Sequence, residues 1–144
     1  MHNEALQRLD MLVAAAVDQL PMPEPPQAPN LGQCFIVAAR AAGDWAGKED
    51  CLAIWTSGGW RFTNPTEGMA AYVRSVGVFA VYRGGAWEIG AVRGSAVLIG
   101  GTQVVGDQAP PIAAPAGGAT VDLEARSAIA QVLSALRAHG LVKA

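Results

Sequence analysis

Between residues 32 and 105 apolar positions come in short alternating runs broken by glycines, whereas near both ends of the chain they recur at steps of three and four. The middle region writes one hairpin twice. Ala53-Ile54-Trp55-Thr56-Ser57-Gly58-Gly59-Trp60-Arg61-Phe62 is echoed by Ala80-Val81-Tyr82-Arg83-Gly84-Gly85-Ala86-Trp87-Glu88-Ile89. Each copy is an apolar run, a glycine-bearing turn and a second run opening on Trp, the sequence form of a β-hairpin. The same reasoning predicts strands near Gln33–Ala39, Cys51–Thr56, Trp60–Thr63, Ala70–Arg74, Val78–Tyr82, Ala86–Ile89, Ser95–Gly100 and Thr102–Val105. Short strands between frequent turns predict an antiparallel meander or small barrel.

The ends read as helices. Leu6, Leu9, Val13, Ala16 and Leu20 fall on one stripe, which predicts a helix from Asn3 to about Leu20. Asn3 is placed to cap it and Glu4 to complement its dipole. Such a helix either lies on its own domain or bundles with copies of itself. Pro21-Met22-Pro23-Glu24-Pro25-Pro26-Gln27-Ala28-Pro29 stops it, and a run this rich in proline predicts an extended spacer. After a proline- and glycine-rich stretch from Asp107 to Ala119, Thr120 offers a helix cap followed by Asp122 and Glu124. Ala125, Ile129, Val132 and Leu136 form the apolar stripe, and Gly140 stands where a left-handed terminating residue belongs.

The expected fold class is therefore α+β: an N-terminal oligomerisation helix (1–20), a proline-rich linker (21–31), a small antiparallel β domain (32–106), a Pro/Gly-rich linker (107–119) and a C-terminal helix (120–144). Leu6, Leu9, Val13 and Leu20 on the first helix, with Ile129, Val132 and Leu136 on the last, are the candidate oligomer interface.

Composition sharpens that picture. Of 144 residues, 51% are hydrophobic and only 15% charged, against about 25% charged in an ordinary soluble domain. A chain this short of charge is expected to cover apolar surface by association. The net charge of −2 argues against a phosphate-binding surface, so no nucleic-acid partner is expected. No apolar run reaches the ~18 residues of a membrane span, so no membrane insertion is expected. The start, Met1-His2-Asn3-Glu4, lacks the features of a secretory signal.

Candidate chemistry is sparse. Cys34 and Cys51 match neither a redox pair nor a zinc site and read as buried thiols, although neighbouring strands would allow a disulfide. His2 and His139 occupy helix ends, and Asp44, Glu49 and Asp50 share a loop without calcium-loop spacing. Glu67 and Glu88 form at best a distant carboxylate pair. The Gly-Gly pairs precede strands, which makes them turn residues rather than phosphate cradles. No catalytic residue, metal site or cofactor is expected.

The aromatics remain. Trp45, Trp55, Trp60 and Trp87, with Tyr72 and Tyr82, crowd the β region, where packing is their ordinary use. Alternation places Trp60 and Phe62 on one face of their strand and Arg61 on the other. An exposed Trp beside an arginine would also stack on a sugar ring, which makes Trp45, Trp55, Trp60, Arg61 and Arg83 the candidate glycan contacts. Trp45, in Gly43-Asp44-Trp45-Ala46-Gly47, is the one most expected to be exposed.

Several strings together carry a family resemblance. These are His2-Asn3-Glu4-Ala5-Leu6 before the Pro-rich spacer, then Trp45-Ala46-Gly47, Gly59-Trp60-Arg61-Phe62, Pro65-x-Glu67-Gly68 and Gly85-x-Trp87 in that order. The chain resembles the domain-of-unknown-function 2793 family, found in appendage proteins (head spikes and tail fibres) of tailed phages and gene transfer agents. Gly117-Gly118-Ala119-Thr120-Val121-Asp122 and Leu136-Arg137-Ala138-His139-Gly140-Leu141 resemble the ends of phage fibre proteins. Relatives usually carry a further stretch ahead of the His-Asn-Glu-Ala string, so either a short version or a trimmed piece of a longer protein is expected here.

The resemblance implies a non-enzymatic component of a phage-like particle, assembled in the bacterial cytoplasm and displayed on the particle surface. Its expected partners are further copies of itself, three being the expected number, and other spike, fibre or capsid proteins. Cell-surface polysaccharide is the expected target if the β domain attaches to a host, and a glycan-binding module is the alternative function.

Overall fold

The computed structural model describes residue 13, residues 15–119 and residues 122–143. Among these residues lie nine strands, β1 (Ala16–Val17), β2 (Cys34–Ile36), β3 (Leu52–Thr56), β4 (Gly59–Thr63), β5 (Ala70–Val73), β6 (Val78–Arg83), β7 (Ala86–Ile89), β8 (Val97–Ile99) and β9 (Thr102–Val105), and one α-helix, α1 (Leu123–Ala138). The chain divides into two compact units between Val92 and Arg93.

In the first unit the duplicated hairpins become two sheets. Strands β2-β3-β4 form an antiparallel meander, and β5-β6-β7 form a second meander extended by β1. The registers coincide: Trp55 faces Trp60 as Tyr82 faces Trp87, and Ala53 faces Phe62 as Ala80 faces Ile89. At the second turn Gly84 and Gly85 both take positive φ, 56° and 85°, the twist that a two-residue hairpin needs.

Alternation along the strands gives each sheet two faces, and the central meander is buried on both. On one side Cys34, Ile36 and Leu52 pack against Val17, Ala71, Val73 and Ala80, with Trp87 at the margin. On the other, Phe35, Val37, Cys51 and Ala53 are closed over by Trp45, with Trp60 and Phe62 flanking. Trp60 and Trp87, equivalent in the repeat, therefore point the same way from their sheets. The repeats stack as successive layers. The Trp87 indole donates to the Asp50 carbonyl at 2.8 Å and so fastens one layer to the next.

Among the described residues the expected α+β layout, with its N-terminal helix running to about Leu20, is not what forms: they make sheets with a single C-terminal α-helix. Val13 lies in a turn and Ala16–Val17 form a strand parallel to β5. The Tyr72 amide donates to the Ala15 carbonyl at 2.8 Å and the Arg74 amide to the Val17 carbonyl at 2.9 Å. The helical stripe omits Val17, which is fully buried, and includes Leu20, which is exposed. A β-branched residue with a vacant strand edge beside it is better satisfied in a sheet than in a helix too short to stand alone. Leu6 and Leu9, with the Asn3 cap, lie outside the described residues.

The proline segment is stitched to the sheet. Met22 bridges Val37 in parallel, its amide donates to the Ile36 carbonyl, and the Ala42 amide donates to the Pro23 carbonyl at 2.9 Å. Proline lacks an N–H, so the bonds are made by the residues around it and by its carbonyls.

The second unit holds the β8–β9 hairpin and α1. The helix is capped by Asp122, whose carboxylate accepts from the Ala125 amide at 2.9 Å; the expected cap, Thr120, lies outside the described residues. The Pro/Gly-rich stretch is tied to the chain end, with Ala109 bridging Val142 and the Arg137 guanidinium donating to the Ile112 carbonyl at 2.8 Å. Among its described residues only Leu133 and Val142 are buried.

Candidate functional site

Trp45 is carried on a 3-10 turn, Gly43–Trp45, where Gly43 supplies a positive φ of 59°. That turn swings the indole over the meander. Trp45 lies 5.0 Å from Trp60 and 5.8 Å from Phe35, and Trp60 lies 5.0 Å from Trp55, all tilted or edge-on. The four rings form a strip running from buried to half-buried, an arrangement favoured by the ring quadrupoles.

The expectation that Trp45 is exposed is overturned, because it is 0% exposed and its Nε1–H has no hydrogen-bond partner in the described structure. It cannot stack on a sugar in this fold. Trp55 and Trp60 are half-buried at the rim of the strip and remain available at their edges.

The arginines do not converge on them. Arg61 faces away from Trp60 by strand alternation, and its guanidinium donates to the carbonyls of Gly58 at 3.0 Å and Trp60 at 3.1 Å. A Cβ on Gly58 would stand 2.9 Å from the Arg61 Nη2, so that glycine makes room for the contact. Arg83 belongs to the other sheet and pairs with Glu88 at 3.2 Å. Of the five candidate glycan contacts, the fold brings together Trp55 and Trp60, with Trp45 sealed beneath them.

The alternation of β5 exposes a different aromatic pair. Ala71 and Val73 point into the core, so Tyr72 points out, opposite Phe79. The two rings lie 5.4 Å apart and are 39% and 60% exposed. Beside them Arg74 pairs with Asp18 at 2.8 Å. Period-two alternation places Tyr72 on the face opposite to the two apolar residues flanking it, but which face is exposed depends on which sheet ends the stack.

The remaining reactive residues have structural roles. Glu67 accepts from the Gly84 amide at 3.0 Å, which holds the β6–β7 turn. Glu49 accepts from the Ala41 amide at 3.2 Å. Among the described residues no group of three or more His, Cys, Asp or Glu side chains is placed to hold a metal ion. Cys34 and Cys51 are both free and buried, on opposite faces of the meander, so they do not pair. Burial pushes the Cys34 thiol up to about 11 and raises that of Cys51 as well. His139 terminates α1, its amide donating to the Ala135 carbonyl at 3.0 Å; His2 lies outside the described residues.

Of the assembly candidates, Val13 and Leu20 are exposed, as are Ile129 and Val132 on α1, while Leu136 is half-buried beside buried Leu133. The β8–β9 hairpin is exposed throughout, with Leu98 61% and Ile99 66% exposed. Alternation puts those two residues on opposite faces, so the hairpin is apolar on both sides. Among the described residues no helix is long and apolar enough to cross a membrane.

A family model described as Protein of unknown function (DUF2793) matches residues 2–88, and the chain belongs to that family. The match ends within β7, so it covers most of the layered first unit and leaves the second outside it. No curated protein matches the chain.

Proposed function

We propose that this member of the DUF2793 family is a non-enzymatic structural component of a phage-like particle, a head spike or tail fibre, that assembles as a homo-oligomer and supports attachment to a host surface. The observation that carries the reading is the uncovered apolar surface of the second unit. A two-stranded hairpin apolar on both faces and a helix exposing Ile129 and Val132 have almost no core of their own. Large uncovered apolar surfaces mark association sites, and copies of the same chain are the partner always present at the required stoichiometry. The resemblance of Gly117 to Asp122 and of Leu136 to Leu141 to fibre-protein ends supports the same reading.

The β layers of the first unit would provide the outward surface or a platform for another spike protein. Light scattering coupled to size exclusion at micromolar concentration tests this. Three chains per particle is the expected mass, and a monomer overturns the proposal.

The half-buried Trp55–Trp60 pair favours a second reading, a host-glycan module in the same assembly. It predicts quenching of tryptophan fluorescence by host capsular or lipopolysaccharide fractions, weakened in Trp55→Ala. No response from any fraction removes it.

A further inference from the structure

We propose that the loop from Arg40 to Asp50 is a lid, closed in this structure, which swings off the first meander and lengthens the Trp55–Trp60 rim into an aromatic groove for a saccharide. The lid rests on the host-glycan reading above and gives that site a closed and an open state.

The loop is bonded mainly to itself. The Trp45 amide donates to the Ala42 carbonyl, the Ala46 amide to that of Gly43 and the Lys48 amide to that of Trp45, while the Ala41 amide donates to the Glu49 carboxylate. Between residues 41 and 47 one described backbone bond leaves the loop, from the Ala42 amide to the Pro23 carbonyl at 2.9 Å. Among the described residues the only non-glycine positions with positive φ are its two ends, Arg40 at 61° and Asp50 at 63°. A side chain makes that conformation strained, and such strain gathers at clamps and switching segments. The Asp50 end is a fixed pivot. Its amide donates to the Val37 carbonyl at 2.9 Å, and its carbonyl accepts from the Trp87 indole at 2.8 Å.

One side chain latches the lid. Trp45 is buried with Phe35, Val37, Cys51 and Ala53, and burial of its rings favours closure. Two costs oppose it: the strained ends, and an indole N–H enclosed without an acceptor. Lifting the loop relieves the first and lets water satisfy the second. It also bares Phe35, which lies 6.0 Å from Trp60, itself 5.0 Å from Trp55. Three rings then line one groove. Gln33 lies opposite Trp55, whose amide donates to its carbonyl at 3.0 Å, and alternation places it on the Phe35 face. Aromatic faces for the C–H side of a sugar ring, with a side-chain amide for its hydroxyls, are the pattern that recognises a saccharide.

The two native thiols report the motion in the full-length protein, because Cys51 packs with Trp45 and Cys34 lies on the other face under the second meander. Iodoacetamide should modify Cys51 at least tenfold faster than Cys34. By NMR, the Trp45 indole proton should exchange with deuterium at least tenfold faster than that of Trp87. Arg40→Gly, which holds a positive φ without strain, should slow both Cys51 modification and Trp45 exchange severalfold. A host capsular or lipopolysaccharide fraction that quenches tryptophan emission should speed Trp45 exchange and leave that of Trp87 unchanged, since a ligand of the open state raises its population.

One common rate for Cys51 and Cys34 overturns the lid, because both thiols then await unfolding of the whole unit. An unchanged rate in Arg40→Gly overturns the hinge. A fraction that quenches without altering Trp45 exchange defeats the lid and leaves glycan binding at the Trp55–Trp60 rim standing. Absence of quenching by every fraction defeats both.

Discussion

The Trp45 indole is fully enclosed by Phe35, Val37, Cys51, Ala53 and Trp60, yet its sequence context, with glycines on both sides and Asp44 before it, has the composition of an exposed loop. Loop composition reports the backbone path, not where one large side chain in it points. Removing that side chain should empty the second core: Trp45→Ala is expected to destabilise the first unit by about 3–5 kcal/mol, read from the shift in denaturant midpoint. Trp45→Phe, which keeps a ring and drops the unpartnered N–H, should cost clearly less. Cys34 gives a second residue-level prediction. Its folded thiol holds its proton to about pH 11 where an unfolded one loses it near 9.0, so the folded state binds that proton more tightly. The stability this contributes is present below pH 9 and lost as pH rises from 9 to 11, by roughly 2–3 kcal/mol. Denaturation at pH 8 and pH 10.5 should reveal the loss, and Cys34→Ala should reduce it to the part that Cys51, also raised by burial, contributes.

At the scale of elements, nearly every strand from β2 to β9 lies where alternation and glycine turns place it, because hairpin pairing is local and its signals sit within a few residues. Strand β1 was not legible. Its partner β5 lies far along the chain and the pairing is parallel, so nothing near Ala16–Val17 announces it, and the stripe of Leu6, Leu9 and Val13 points to a helix instead. The proline segment escaped for a related reason, since its bonds run to Ile36, Ala38 and Ala42 rather than to its neighbours. Of the candidate site, Trp55 and Trp60 could be read from their facing positions, whereas Tyr72–Phe79 needed knowledge of which sheet ends the stack. The bond from Trp87 to the Asp50 carbonyl is likewise invisible in sequence, and it yields a prediction. Trp87→Phe leaves that carbonyl without its donor and is expected to cost roughly 1–3 kcal/mol, seen as a lower midpoint with the strand content unchanged by far-UV dichroism.

For the whole molecule, the uneven distribution of core decides how the chain should unfold. Both apolar clusters lie in the first unit, while the second buries only Leu133 and Val142 among its described residues. If the second unit gains its core from other copies, its folding is coupled to association and its stability must rise with protein concentration. The two units can be watched separately, because all four tryptophans fall within the first and α1 within the second. On dilution from high micromolar to nanomolar concentration, the helical dichroism should melt at progressively lower temperature. The tryptophan emission should move much less, since Trp45, Trp60 and Trp87 report on packing within one chain. Leu98→Asp, placing a charge in the hairpin, should make the wild-type protein's dilute behaviour appear at high concentration. Helix melting that ignores both concentration and Leu98→Asp would mean that the second unit stands on its two buried side chains alone, and its uncovered apolar surface would then no longer imply assembly.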